Sequence, residues 1–101
     1  MAEATSTIKL PAGALASRES AKPYRNKILE GLRNNPDGIV NIDLQDVKNI
    51  SGSFADECIG VLVLQIGFDK VLKRIKLING AQHVVRSIAD AIQIRQKELS
   101  K

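Results

Sequence analysis

Two serines stand where a polar connection is predicted to give way to a helix, in the segment Ser51-Gly52-Ser53. A serine hydroxyl at a helix N-terminus can cap the helix, accept a phosphoryl group or help to bind an anion. Ser53 is followed three residues later by Asp56, a spacing typical of a capping box with aspartate in place of the usual glutamate. The pattern therefore predicts Ser53 as the helix cap and as a phosphoacceptor, with Ser51 competing for both roles.

Three carboxylates accompany the serines. Asp56 and Glu57 are adjacent, so in a helix they are predicted to point to different sides rather than to form a catalytic pair. Asp43 ends the preceding strand and is expected to approach the start of the helix. We interpret the three as an acidic patch complementary to a basic partner. The predicted partner-binding residues are Asp43, Ser51, Gly52, Ser53, Phe54, Asp56 and Glu57.

Residues that commonly carry catalysis or bind metals are few. His83 is the single histidine and is expected on the surface, whereas Cys58 is expected in the core. A single cysteine excludes an internal disulfide and a cysteine-based zinc cluster. The sequence also lacks a phosphate-binding glycine loop and a dinucleotide fingerprint. We therefore expect no catalytic residue, no metal, no cofactor and no enzymatic activity.

Two other kinds of binding stay open from the residues alone. The helix N-terminus from Ser51 to Phe54, aided by Lys48, could hold a small nucleotide or anion, and such a ligand would raise the thermal stability. The basic cluster from Lys70 to Lys76 could instead bind nucleic acid with a steep salt dependence. No aromatic residues interleave with this cluster for base stacking, so we prefer a solvated basic face and do not expect nucleic acid.

The composition limits the class of protein. The chain has 101 residues and a formal net charge of +4, which fits one domain with moderate positive charge. The longest apolar run, from Cys58 to Ile66, is too short to span a bilayer, and no signal-peptide pattern opens the sequence. We expect a single cytoplasmic domain over residues 1–101, with residues 1–6 and 97–101 frayed.

Helices and strands are predicted to alternate along the chain. The apolar spacing predicts strands at Thr7–Leu10, Ile39–Leu44 and Ile75–Ile78, and helices over Ser17–Asn34, over Phe54–Ile66 and from Ala81 onward. Ser17 or Ser20 can cap the first helix. Proline is tolerated in the first turn of a helix, so Pro23 favours Ser20. The order β-α-β-α-β-α predicts an α/β fold with parallel strands joined by crossovers.

Shorter segments complete this prediction. Leu15-Ala16 is a candidate for a brief extended piece, and Asp69–Arg74 is a candidate for an added helical turn. Val47 and Ile50 are expected to anchor the connection between the second strand and the second helix.

The central segment resembles the STAS-like domains, relatives of the sulfate transporter and anti-sigma factor antagonist fold. The matching residues are Ile42-Asp43-Leu44, Val47, Ile50, Ser51 and Ser53-Phe54-Ala55-Asp56-Glu57, with support from Ser17-Arg18 and from Arg74 to Asn79. The resemblance covers about residues 7 to 95. It implies a small mixed sheet with helices.

The resemblance also implies a function. In anti-sigma factor antagonists the comparable turn reads D-S-S-G, and a partner kinase phosphorylates a serine there and thereby releases the complex. Laid on that pattern, Ser51 takes the aspartate position, Gly52 the first serine and Ser53 the phosphorylated serine, and Phe54 replaces the glycine. This implies a bacterial signalling domain in transcription regulation, and its partner would be a histidine-kinase-like ATPase or anti-sigma kinase.

Overall fold

The structure, a computed structural model, describes residues 5–99 of the chain. The strands are β1 (Thr5–Lys9), β2 (Gly13–Leu15), β3 (Ile39–Asp43), β4 (Val47–Ile50) and β5 (Ile75–Ile78). The helices are α1 (Arg18–Asn34), α2 (Gly52–Ala55), α3 (Val61–Ile66), α4 (Phe68–Arg74) and α5 (Gln82–Leu99), with a π-helical turn at Asp56–Gly60 between α2 and α3.

The strands form two small parallel sheets. One sheet has the order β1-β3-β5, and the other pairs β2 with β4. An α/β domain with parallel strands is therefore confirmed. The mixed sheet is not observed, because every strand pair within residues 5–99 is parallel. Helical crossovers bring the chain back to the same end of the three-stranded sheet, and strands connected in that way run parallel.

Helices cover one face of the three-stranded sheet. Val40 and Ile42 of β3 are almost fully buried, whereas Asn41 and Asp43, which alternate with them, are half-buried. A Cβ atom added at Gly31 of α1 would lie 3.1 Å from Val40 Cγ2, so the α1 backbone lies directly against this face. The alternation that the sequence predicted is thus the division between the core face and the outer face.

Strand β4 replaces the predicted connection. Val47 and Ile50 are buried, as expected of anchors, but their segment also pairs with β2. The Ser51 N–H continues this pairing by donating to the Leu15 carbonyl oxygen at 2.8 Å. The V-x-x-I spacing does not alternate with period two, so the pattern did not indicate a strand.

The cap of helix α1 lies three residues before Ser20, the cap that Pro23 favoured. The Ser17 hydroxyl oxygen accepts the Ser20 N–H at 3.0 Å, so Ser17 is the N-cap and the prediction of Ser20 is wrong. Pro23 consequently lies inside the helix beyond the first turn. Its ring is exposed, so water can hydrate the carbonyl that proline leaves without a helical hydrogen bond.

The central helical segment is longer and less regular than predicted. It begins at Gly52, passes through the π-helical turn and ends at Ile66, and its buried side includes Phe54, Cys58 and Leu62. Gly67 separates it from α4 with φ +96°, a conformation that favours glycine. Helix α4 extends the helical turn predicted over Asp69–Arg74 by one residue.

Both ends of the described chain lie in regular elements. β1 begins at Thr5 and α5 continues to Leu99, which places Thr5, Ser6 and residues 97–99 in a strand and a helix. The other residues predicted to fray, 1–4 and 100–101, lie outside the described residues. Within residues 5–99, no helix has both the length and the apolar character needed to cross a membrane.

Candidate functional site

Ser51, not Ser53, caps the central helical segment. The Ser51 hydroxyl oxygen accepts the Phe54 N–H at 3.0 Å, and the hydroxyl donates to the Ala16 carbonyl oxygen at 2.7 Å. Ser51 has extended backbone angles (φ −76°, ψ 159°), as a capping residue does, whereas Ser53 already lies within the helix. The prediction of Ser53 as the cap is therefore wrong.

Ser53 is exposed, and its neighbour Phe54 is fully buried. Among residues 5–99, no side chain or backbone group forms a hydrogen bond with the Ser53 hydroxyl. The Phe54 ring packs in the core, with its centroid 6.5 Å from that of Tyr24. Phe54 therefore cannot contact a partner in this conformation, which corrects its place among the predicted partner-binding residues.

The two adjacent carboxylates converge on one arginine. Arg18 Nη1 lies 2.7 Å from Asp56 Oδ2 and 3.3 Å from Glu57 Oε1. Asp56 and Glu57 were predicted to point to different sides of the helix, and one guanidinium group nevertheless reaches both side chains. Their side chains are only 13% and 14% exposed, so most of each carboxylate is withdrawn from a partner.

Two further arginines complete this cluster. Arg95 of α5 binds Asp56 through two bonds, Nε to Oδ1 and Nη2 to Oδ2, each 2.7 Å long. Arg25 of α1 donates to the Glu57 carboxylate and, at 3.2 Å, to the Glu57 carbonyl oxygen. We call Arg18, Arg25 and Arg95 the arginine cluster. It fastens α1 and α5 to the π-helical turn.

The arginine cluster changes the acid–base properties of the carboxylates. The hydrogen bonds from Arg95, followed by those from Arg18, hold the pKa of Asp56 below its ordinary value despite some burial. Burial alone would raise the pKa of Glu57, but the bonds from Arg25 and Arg18 outweigh it and lower that pKa. Asp56 in turn raises the pKa of Arg95. Both carboxylates are therefore ionised at neutral pH, as electrostatic anchors rather than proton donors.

The sequence carries a signal for the buried position of these arginines. Arg95 follows Val84, Ile88 and Ala91 at helical spacing, so it continues the buried stripe of α5. Arg25 likewise lies between Ala21 and Ile28 on the buried side of α1. An arginine on a buried face needs a carboxylate or carbonyl partner, which predicts an internal ion pair.

A cleft of about 540 Å³ opens beside Ser53. Its lining residues are Arg18, Gly52, Ser53, Asp56, Ser87, Asp90, Ala91, Ile94, Arg95 and Glu98. We call it the Ser53 cleft. Arg18 and Arg95 are bound to Asp56, and Arg95 is also bound to Glu98 at 3.2 Å. Of the predicted site residues, Gly52, Ser53 and Asp56 line it, whereas Ser51, Phe54 and Glu57 do not.

Asp43 belongs to another part of the surface, at the end of β3. Its Oδ1 accepts the Gln45 N–H at 3.0 Å and the Asn79 Nδ2–H at 3.2 Å, and these bonds lower its pKa, with Lys9 adding to the effect. Lys9 itself pairs with Asp46 at 3.0 Å. Asp43 does not line the Ser53 cleft, so the structure does not bring it to the other predicted site residues there.

The other candidate residues are buried in the core or bound to backbone carbonyl groups. Burial raises the pKa of the Cys58 thiol to about 12, as a core cysteine requires. His83 Nε2 lies 2.6 Å from the Lys48 carbonyl oxygen on the surface. Arg74 donates to the carbonyl oxygens of Leu32, Asn35 and Gly38, so it is not a free member of the basic cluster. In the described part of the chain, no three His, Cys, Asp or Glu side chains are grouped as metal ligands.

Comparison with known proteins identifies a family. A family model described as a STAS-like domain of unknown function (DUF4325) matches residues 20–85, which include Ser53, Asp56 and Glu57 but neither Arg18 nor Arg95. No curated protein and no solved structure matches the chain significantly.

Proposed function

Because the chain belongs to the STAS-like domain family, as its central segment predicted, we propose that it is a non-enzymatic cytoplasmic regulatory domain that binds a partner protein at the Ser53 cleft. Phosphorylation of Ser53 controls that binding. The resemblance to anti-sigma factor antagonists makes a histidine-kinase-like ATPase or anti-sigma kinase the partner class, in bacterial signalling that regulates transcription.

One observation carries this proposal: the two serines have separate tasks. The Ser51 hydroxyl accepts the Phe54 N–H and donates to the Ala16 carbonyl oxygen, so phosphorylation of Ser51 would break the helix cap. The Ser53 hydroxyl is exposed at the cleft and makes no hydrogen bond with any described residue. Ser53 can therefore accept a phosphoryl group without loss of the helix start, which makes it the phosphoacceptor.

The charges around Ser53 give the modification an effect. A phosphoryl group adds about −1.5 to −2 charges at neutral pH. Asp56, Asp90 and Glu98 also line the cleft, so the added charge would make it strongly negative. This change of charge would alter the affinity of a partner that binds the unmodified cleft, and Arg18 could turn from Asp56 to the phosphate. Arg18 is suited to that movement, since its side chain is 48% exposed.

The burial of Phe54 supports the same assignment. In the resemblance to anti-sigma factor antagonists, Phe54 takes the position of the glycine that follows the phosphorylated serine. Phe54 points into the core with 0% exposure, so it leaves the surface around Ser53 open to a kinase.

The test is capture of partners from native lysate on the tagged full chain, followed by intact-mass and phosphopeptide analysis. We expect a kinase-like partner and phosphate on Ser53. The Ser53→Ala variant should keep the partner and lose the phosphate. The matched variant Ser51→Ala should lose stability and keep the phosphate. Phosphate on Ser51 alone would contradict the assignment of the site, and absence of a specific partner would contradict the interaction role.

A small nucleotide or anion in the cleft is the second candidate, since a volume of about 540 Å³ suits a small ligand. The carboxylates of Asp56, Asp90 and Glu98 disfavour an anion there. Thermal melts with ATP, GTP or phosphate separate the two functions. A rise in Tm that Arg18→Ala abolishes would favour the ligand over the partner protein.

A further inference from the structure

We propose that a second surface, at the C-terminal end of α1, binds an acidic segment of a partner protein that carries an aliphatic side chain. The site is a pocket of about 270 Å³ lined by Leu29, Leu32, Arg33, Ile66, Lys70 and Arg74. We call it the basic pocket. It includes part of the cluster from Lys70 to Lys76, which the Ser53 cleft does not involve.

The lining of the basic pocket combines two kinds of surface. Leu32 is buried, and Leu29 and Ile66 pack against the core while staying partly accessible, so they give the pocket an aliphatic wall. Arg33 and Lys70 are exposed, and neither forms an ion pair with any residue in the described range 5–99. Apolar contact and positive charge are thus offered within one pocket.

Arg74 makes the charge of this pocket permanent. Its guanidinium group is held by the carbonyl oxygens of Leu32 and Asn35, at the end of α1, and of Gly38. Carbonyl groups are neutral, so these bonds fix the position of Arg74 without cancelling its charge. Among residues 5–99, no carboxylate lines the pocket. The complementary ligand therefore carries negative charge beside an apolar group.

An acidic protein segment fits these features better than nucleic acid. A phosphate backbone needs cations and polar donors but gains little from an aliphatic wall, and bases would need aromatic stacking partners. The described residues that line the pocket include no aromatic side chain.

The basic pocket is separate from the Ser53 cleft. The two share no lining residue, and α1 contributes Arg18 to the cleft and Arg33 to the pocket. At about 1.5 Å per helical residue, these positions lie about 22 Å apart along α1. The inference therefore does not rest on the role proposed for Ser53.

The test is selection of peptides from a displayed random library on the full chain, with no prior subtraction against any variant. We expect enriched peptides in which an aliphatic residue stands near two or more acidic residues. The affinity of a synthetic selected peptide should fall about tenfold for Lys70→Glu, because one attraction becomes a repulsion. The matched charge reversal Lys97→Glu, at an exposed position of α5, should leave the affinity within twofold of the wild-type value. Replacement of the peptide's aliphatic residue by serine should also abolish binding.

Three results would overturn the inference. Selected peptides could bind wild type, Lys70→Glu and Lys97→Glu equally, which would place their site elsewhere. Peptides with and without the aliphatic residue could bind equally, which would leave only a general electrostatic attraction. A random-sequence DNA duplex could bind more tightly than the peptides, with a steep salt dependence removed by Lys70→Glu. Should Lys70→Glu fail to fold by circular dichroism, the exposed Arg33→Glu variant replaces it in every comparison.

Discussion

Asp56 lies between two members of the arginine cluster. It is bound by Arg18, at the start of α1, and twice by Arg95, in α5. Since those bonds lower the pKa of Asp56 from its ordinary 3.8, the unfolded chain binds more protons than the folded chain as the pH approaches that value. Asp56 therefore stabilises the fold above about pH 4, and this contribution is lost as the pH falls through the depressed folded pKa.

The Asp56→Asn variant tests this pH dependence. At pH 7 we expect its free energy of unfolding to be lower by about 2 kcal/mol, less than for a fully buried ion pair because the arginines stay partly hydrated. The difference from wild type should shrink as the pH falls below about 4, where wild-type Asp56 becomes protonated. Urea titrations of both proteins at several pH values give the comparison. Because Glu57 and Asp43 titrate in both, a gap that stays constant with pH would contradict the role of Asp56.

The two serines provide a second comparison at the scale of single residues. Ser51→Ala removes the cap and should lower the free energy of unfolding by about 1 kcal/mol. Ser53→Ala removes an exposed hydroxyl that forms no hydrogen bond with residues 5–99, so it should change the free energy of unfolding by no more than about 0.5 kcal/mol. Chemical denaturation of the two variants measures both. A larger loss for Ser53→Ala would return the capping role to Ser53.

This comparison also shows how far the sequence could predict the site. The segment Ser51 to Glu57 was found from its residue types, since a serine pair before an apolar run is a helix-start signal. The capping pattern could not choose between the serines. That choice depends on which residue keeps an extended backbone, and the pairing of β4 with β2 holds Ser51 in that conformation.

At the scale of elements, Arg74 joins three parts of the fold. It stands at the junction of α4 and β5, and its guanidinium group satisfies carbonyls at the end of α1 and in the turn before β3. Removing it would leave the final carbonyls of α1 without these donors. Arg74→Met keeps the aliphatic stem and removes the donors, so it should lower the free energy of unfolding by about 2 kcal/mol.

Lys73→Met is the matched control for Arg74→Met. Lys73 is also a cation of the basic cluster in the last turn of α4, but it is exposed. Its substitution should change the stability by less than about 0.5 kcal/mol. Equal losses for the two variants in urea denaturation would mean that net charge, rather than the carbonyl contacts, accounts for the effect.

Elements were predictable where one local pattern dominated. The alternation in β3 and the helical spacing in α1 and α5 follow from burial on one face, which the sequence displays directly. Strand β4 was not predicted because a short strand depends on pairing with another strand, here β2. The π-helical turn was not predicted because it depends on the close packing of Gly60 against Asp56 and α5. A Cβ atom at Gly60 would lie 2.6 Å from Asp56 Oδ1 and 3.2 Å from the Ala91 carbonyl oxygen. Such contacts between distant segments leave no periodic signature.

At the scale of the whole molecule, α1 and α5 both pack against the π-helical turn. The buried residues of all the helices form one core with those of β3, and the arginine cluster fastens both long helices to its edge. The Ser53 cleft and the basic pocket are at opposite ends of α1. Ligands at the two proposed sites would therefore contact opposite ends of α1.

The accessibility of Cys58 to a thiol reagent measures how often the core opens. Cys58 is fully buried in the π-helical turn, and burial raises the pKa of its thiol to about 12. A thiol reagent at pH 8 should therefore label Cys58 only when the chain opens, far more slowly than a free cysteine. If the opening is global, the labelling rate should follow the unfolding equilibrium.

Asp56→Asn and Ser53→Ala together test that expectation. A loss of about 2 kcal/mol in Asp56→Asn should raise the Cys58 labelling rate about 30-fold, whereas Ser53→Ala should leave it nearly unchanged. The rates are measured by intact mass at low urea, and labelling of the unfolded variants gives the reference rate. If Asp56→Asn labels no faster despite its lower stability, the π-helical turn opens locally and independently of the ion pairs. In that case the arginine cluster would fasten α1 and α5 without controlling access to the core.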